Sequence, residues 1–338
     1  MVAANGVPMQ PILHRDSAVH GLTPDQLRSP CWLHPADGVA IERERAGDLE
    51  LRCRAVRLIL PADAVFTHIT SAELREWWLP FIPDAPIIAC TQGEAPHHNR
   101  RGVFVRRCDI PAGHRTVLRG IPVASAEWTI VELAEHFSFL ELVIVIDCAL
   151  HRKEVSVESI GATMKKGRRG VKVLRRALEW CDGRSESAWE TVLRLLFELS
   201  GIRVDPQIVL RDARGISVAR ADLLIRGTNR IAEYDGAGHR ERDQHRDDLR
   251  REKACTRIGY ERFGYTDIEI RKKPILVIRD AEDALGLRHD PSRLKFWYHE
   301  FERSSLSDSG RRALIRRLHR FARTTSPRSS KAASGADL

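Results

Sequence analysis

The sequence predicts a mixed α/β protein, and three observations carry that reading. An amphipathic helical pattern opening at Ser187 is followed by three β-rich runs, a charged helix, a fourth β-rich run and a last helix, the order α-β-β-β-α-β-α. Such an order calls for a sheet covered by helices. Two of the runs, Ala219–Ile225 and Arg230–Gly236, carry acids inside apolar strands: Asp222 in the first, Glu233 and Asp235 in the second. The 338 residues are 43% hydrophobic, enough for two or three domains with real cores, which excludes a chain disordered throughout.

Four regions and a linker follow from the pattern. In residues 1–80, His14 to Gly21 reads as the end of a short helix. Thr23-Pro24-Asp25-Gln26 then opens another, with Thr23 as N-cap, Pro24 at the first helical position and Gln26 completing a capping box. Trp32 to Ile41 reads as a wing-like hairpin turning at Asp37-Gly38. Helices are expected over Leu49 to Leu60 and Ser71 to Trp78. Residues 81–164 mix strands at Pro86 to Thr91 and Gly102 to Arg107 with helices at Ser125 to Glu135 and Phe139 to Leu150. Residues 165–184 read as a basic linker.

Residues 185–286 hold the chemistry. Trp189, Val192, Leu193, Leu196 and Phe197 form one helical stripe closed by Gly201. Strands are expected at Gln207 to Arg211, Ser217 to Ile225, Arg230 to Tyr234 and Tyr260 to Tyr265. Helices are expected at Arg242 to Ile258 and Pro274 to Leu285. In residues 287–338, Arg311 to Arg323 is a basic amphipathic helix, and the Ser/Ala-rich end from Thr324 reads as disordered.

The net charge is +9, yet Pro291 to the end carries eleven Lys/Arg against four Asp/Glu, so most of the excess sits there. The body is nearly balanced, and global charge does not make it a nucleic-acid binder. Seven cysteines at 31, 53, 90, 108, 148, 181 and 255 show no Cys-x-x-Cys pair. The expectation is reduced thiols, no zinc site, and a soluble cytoplasmic protein without a membrane segment.

An ionised carboxylate in an apolar strand is costly unless paired or bound to a cation. Asp222, Glu233 and Asp235 would converge at one end of a hairpin, an all-oxygen site for Mg²⁺ or Mn²⁺. Glu233 and Asp235, two apart, share a sheet face, and Tyr234 points the other way into the core. Plainer readings stand beside these. Asp222 could pair with Arg220 or Arg230. Glu190 could be a further acid of the site or the capping-box partner of Ser187. His239 could be a general base or a loop residue after Gly238. Asp247 and Arg251 could form a local ion pair. His97-His98 reads as an ordinary polar loop, and the cysteines as small core residues.

The third region resembles the restriction-endonuclease-like PD-(D/E)XK superfamily, in particular the very-short-patch-repair-like branch. The residues that carry this are Ser187-Ala188-Trp189-Glu190-Thr191 with Arg194, Pro206-Gln207, Ala221-Asp222-Leu223, Glu233-Tyr234-Asp235-Gly236 with His239, then Asp247, and Gly259-Tyr260 with Arg262. The resemblance covers about 100 residues. It implies a restriction-endonuclease-like α-β-β-β-α-β core, with winged-helix-like and α+β regions before it. The earlier regions are similar to AbiEi-type antitoxins of actinobacterial type, through Leu22 to Ser29, Gly120-Ile121-Pro122-Val123 and Ala126 to Ala134.

The resemblance implies a Mg²⁺- or Mn²⁺-dependent endonuclease acting on DNA, with RNA not separated from it by any residue, and an N-terminal region for DNA or a partner protein. Asp222, Glu233 and Asp235 would be metal ligands, with Glu190 and His239 as further catalytic groups. Arg251, Lys253, Arg311, Arg312 and Arg316 would contact nucleic acid. One departure matters: the superfamily usually has Lys where this chain has Asp235, so Arg251 or Lys253 would supply the positive charge. The rival is a non-catalytic DNA-binding regulator of antitoxin type that keeps the nuclease fold as a scaffold.

Overall fold

The computed structural model describes residues 10–83, 85–92, 102–236 and 252–323, with side chains through residue 319. It is a mixed α/β fold, with three sheets among the described residues. The chain divides into two compact units, one drawn from residues 1–75, 82–125 and 315–338, the other from 76–81 and 126–314.

In the first unit, β1 (Ile12–Leu13), β2 (Trp32–Ala36) and β3 (Val39–Glu42) form an antiparallel sheet in the order β1-β3-β2. The expected hairpin is there, turned at Gly38 with φ of 96°. The short helix expected to end at Gly21 is a 3-10 helix, His14–His20. Helix α1 (Pro24–Leu27) has both halves of the Thr23–Gln26 capping box. Helix α2 (Leu49–Arg57) stops a turn before Pro61, and α3 spans His68–Leu74, one turn ahead of the expected Ser71 to Trp78. The second sheet runs β6-β5-β4-β8-β7, from β4 (Val65–Phe66), β5 (Ile87–Thr91), β6 (Val103–Arg107), β7 (Arg115–Leu118) and β8 (Ile121–Ala124). One core joins both sheets and α2: Val39, Ile41, Cys53, Val56, Phe66, Ala89, Val105 and Val123 pack together.

The expectation of seven reduced thiols is corrected here. Cys90 and Cys108 are joined in a disulfide across Cα atoms 6.0 Å apart. The cause is register: β5 and β6 run parallel, Thr91 pairs with Arg107, and both cysteines therefore reach the same end of neighbouring strands. The other five are free thiols.

The second unit opens with α4 (Ala126–Leu133) and α5 (Phe139–His151). Every α5 residue from Phe139 to Ala149 is buried, Glu141 and Asp147 included. Helix α6 spans Val157–Thr163. The 165–184 stretch, expected as a linker, is corrected: Val171–Leu178 is helix α7, with Val171, Leu174 and Ala177 buried against the core. Gly170 opens it at φ +83, where a Cβ would lie 2.0 Å from the Ala134 carbonyl oxygen, so only glycine admits that approach.

Helix α8 (Ala188–Leu199) leads into a four-stranded sheet of order β12-β11-β10-β9. Its strands are β9 (Val204–Arg211), β10 (Ser217–Ile225), β11 (Arg230–Tyr234) and β12 (Glu261–Tyr265). The first three are antiparallel neighbours, and β11 and β12 are parallel. Between them 252–257 is helical (α9), the described part of the expected charged helix. Then come α10 (Asp267–Lys272), α11 (Pro274–Ala284), α12 (Lys295–Arg303) and α13 (Asp308–Arg323). In β10 the pattern of burial at Ala221, Leu223 and Ile225 is the strand's period of two. Among the described residues, no helix is long and apolar enough to cross a membrane.

Candidate functional site

The acids sit on the central hairpin of the four-stranded sheet. Leu223 pairs with Ala232 and Leu224 with Ile231, so the next antiparallel position sets Asp222 of β10 opposite Glu233 of β11. The Asp222 carboxylate accepts the Tyr234 N–H at 3.1 Å. Of the two arginines that sequence reading offered it, Arg220 binds Glu186 at 2.5 Å and Arg230 binds Glu261 at 2.6 Å.

Glu233 is 3% exposed, and a carboxylate buried that far requires compensation. It comes from β12. Arg262 donates from Nε to the Glu233 carboxylate at 2.5 Å, and its Nη2 lies 3.6 Å from Asp235 Oδ1. The parallel register delivers it: Ile231 pairs with Arg262 and Glu233 with Gly264. Asp235, just past β11, donates its own N–H to the Tyr265 carbonyl at 2.9 Å. Its carboxylate lies over Gly264, where a Cβ would come within 1.9 Å of Oδ2. A Cβ at 264 would therefore push the Asp235 carboxylate aside.

The opposite face carries Tyr234, as its spacing predicts. It stacks on Trp189 of α8, ring centroids 5.6 Å apart and planes 14° from parallel. Burial is the main cause raising its phenol above the usual range, and Asp267 adds to it.

Glu190 does something the capping-box reading did not contain. Ser187 Oγ accepts the Glu190 N–H at 3.2 Å, but the Glu190 carboxylate accepts from Glu186 N–H at 2.8 Å and from Gln207 Nε2 at 3.0 Å. The helix start is therefore tied to β9. Gln207 sits at φ +54, and its Oε1 is buried without a partner among the described residues.

Sequence reasoning missed Asp147 of α5. It accepts from Asp182 N–H at 2.6 Å, Thr191 Oγ1 at 2.8 Å and Arg194 Nη2 at 2.8 Å. Arg194 also holds Glu198 at 2.7 Å. Burial pushes the Asp147 carboxyl up to about 6, against the pull of Arg194 and the other donors. This network locks α5 to α8, the helix that carries Glu190. Arg262 was visible as part of a motif but not as the partner of the acids, because nothing in a linear sequence shows the parallel register.

His239, Asp247 and Arg251 lie outside the described residues, as do His97 and His98. Lys253 is exposed on α9, and Arg312 and Arg316 are exposed on α13, whereas Arg311 donates to the Ser305 carbonyl at 3.2 Å. The positive charge expected from Arg251 or Lys253 is, among the described residues, supplied to the acids by Arg262.

Asp222, Glu233 and Asp235 offer only anionic oxygens, and with the Gln207 oxygen nearby this donor chemistry suits a hard divalent cation rather than zinc or copper. Among the described residues no three His, Cys, Asp or Glu side chains stand grouped as ready-made ligands. No family model, no curated protein and no solved structure matches this chain.

Proposed function

We propose that the chain is a metal-dependent phosphodiesterase acting on DNA, with a restriction-endonuclease-like core of the PD-(D/E)XK kind formed by α8, β9–β11, α9 and β12. The observation that supports this most is the placement of Asp222 opposite Glu233, with Asp235 two residues on, over a sheet of that strand order. In this reading Asp222, Glu233 and Asp235 hold Mg²⁺ or Mn²⁺. The chemistry a divalent cation supplies there is activation of water and neutralisation of charge on the leaving oxygen. Glu190 positions the start of α8 against β9 through Gln207. The first unit, with its winged-helix-like hairpin and AbiEi-like sheet, serves DNA or a partner protein, and exposed Lys253, Arg312 and Arg316 track phosphates.

The test is nicking of supercoiled plasmid with Mg²⁺, Mn²⁺ or EDTA, beside Asp222→Ala and Glu233→Ala proteins prepared identically. Metal-dependent nicking is expected in the parent alone. Equal cutting by either variant rejects the site. A second reading is favoured by Arg262 and by Asp235 in place of Lys: a DNA-binding regulator that keeps the fold as a scaffold, its acids neutralised internally. That protein would bind DNA, would not cut it, and would give no carboxylate-dependent heat with Mn²⁺.

A further inference from the structure

Arg262 poses an electrostatic question that the nuclease reading leaves open. Its guanidinium lies against Glu233 and within 3.6 Å of Asp235, two of the three carboxylates assigned to metal. Both partners are sheltered: the Glu233 side chain is 4% exposed and that of Arg262 17%. A carboxylate so placed has a limited set of lone pairs, and a divalent ion and a guanidinium cannot both take the same ones.

We infer that Arg262 is a built-in counter-cation, and that a divalent metal binds Glu233 and Asp235 only by displacing its guanidinium. The inference rests on the metal-site reading above and adds a regulation to it. In the resting protein Arg262 offsets one negative charge of the Glu233–Asp235 pair. The Asp235 carboxylate fills the space over Gly264 that a Cβ would occupy. Arg262 is thus a positioning residue for the acids and a competitor for their ligand. The exchange consists of one hydrogen bond and one ion pair broken and metal–oxygen contacts formed, with no proton or electron transferred. Metal affinity is set by the difference between the two, so it is weaker than three carboxylates alone would give.

The full-length protein is tested by calorimetry with Mn²⁺ as parent, Arg262→Gln and Arg262→Lys. The expected result is at least tenfold tighter binding in Arg262→Gln, with Arg262→Lys between it and the parent. Should Arg262→Gln fail to fold, the parent labelled with ¹⁵N-arginine answers instead. The hydrogen-bonded Arg262 Nε–H resonance, assigned by its loss in Arg262→Lys, is expected to shift toward solvent-exposed values on addition of Mg²⁺. Mn²⁺ binding that depends on Asp222 and Glu233 but is unchanged in Arg262→Gln, or an Nε–H that ignores Mg²⁺, overturns the competition and leaves the metal site standing. No Mn²⁺ binding in parent or variants overturns both.

Discussion

At the residue scale, buried charge decides what this chain tolerates. Arg194 is 2% exposed and bridges Asp147 to Glu198. Replacing it by Met keeps the volume and removes the compensation, leaving Asp147 buried and unpaired by its guanidinium. Such losses cost about 3–5 kcal/mol, so the denaturant midpoint of Arg194→Met should fall steeply, and an unchanged midpoint would contradict the network. Cysteine chemistry gives a second check. Burial pushes the Cys148 thiol up to about 11 and Cys181 up to about 12, and Cys53 rises as well. Thiolate is the reactive form, and a raised pKa keeps these groups protonated throughout pH 7–9. Mass spectrometry after brief alkylation of folded protein should find Cys31, which is exposed, modified before Cys53, Cys148 and Cys181.

At the element scale, the stretch 165–184 separates a linker from a structural helix. Leu174 is fully buried on α7. Leu174→Ala would be harmless in a linker, but a buried Leu truncated to Ala costs about 2–5 kcal/mol, which a thermal melt will read. Gly264→Ala tests β12. The added methyl displaces the Asp235 carboxylate, a movable and partly exposed group, so stability should change little while Mn²⁺ heat is lost. The hairpin strands were legible to the residue, Ser217–Ile225 and Arg230–Tyr234, because two apolar runs flank a short turn at Gly227. Burial alternates at Ala221, Leu223 and Ile225, whereas Ile231, Ala232 and Glu233 are buried in succession. Strands such as Val65–Phe66 and Ile121–Ala124 are too short to show any period. Helix α7 carries its apolar stripe among Lys172, Arg175 and Arg176, and the charges hid it.

At the scale of the whole molecule, what remained illegible is what depends on non-local pairing. The Cys90–Cys108 bond and the Arg262–Glu233 contact both arise between parallel neighbours, whose register is fixed by crossovers rather than by turns. The acids themselves were readable because an acid among β-branched and aliphatic neighbours breaks a local rule. Charge acts at this scale too. Arg312 and Arg316 are exposed in the most basic part of the chain. If they touch phosphates, Arg312→Ala/Arg316→Ala should lower the slope of log affinity against log salt by about one to two units, at roughly 0.9 per contact. A slope equal to the parent's would free α13 from any role on DNA.

The parallel pairing of β11 with β12 also sets an order of assembly. The β10–β11 hairpin closes over the short turn between Ile225 and Arg230, a local event, and it brings Asp222 beside Glu233 at once. Among the described residues, a guanidinium reaches Glu233 from β12, whose Arg262 lies 29 residues beyond it. Closing that longer loop is the slower, entropically dearer step. Until it happens the young hairpin sets Asp222 opposite Glu233, and docking of the last strand brings the Arg262 guanidinium to Glu233. An acid pair so placed would act during folding as an electrostatic latch, its repulsion disfavouring a hairpin that β12 has not yet joined.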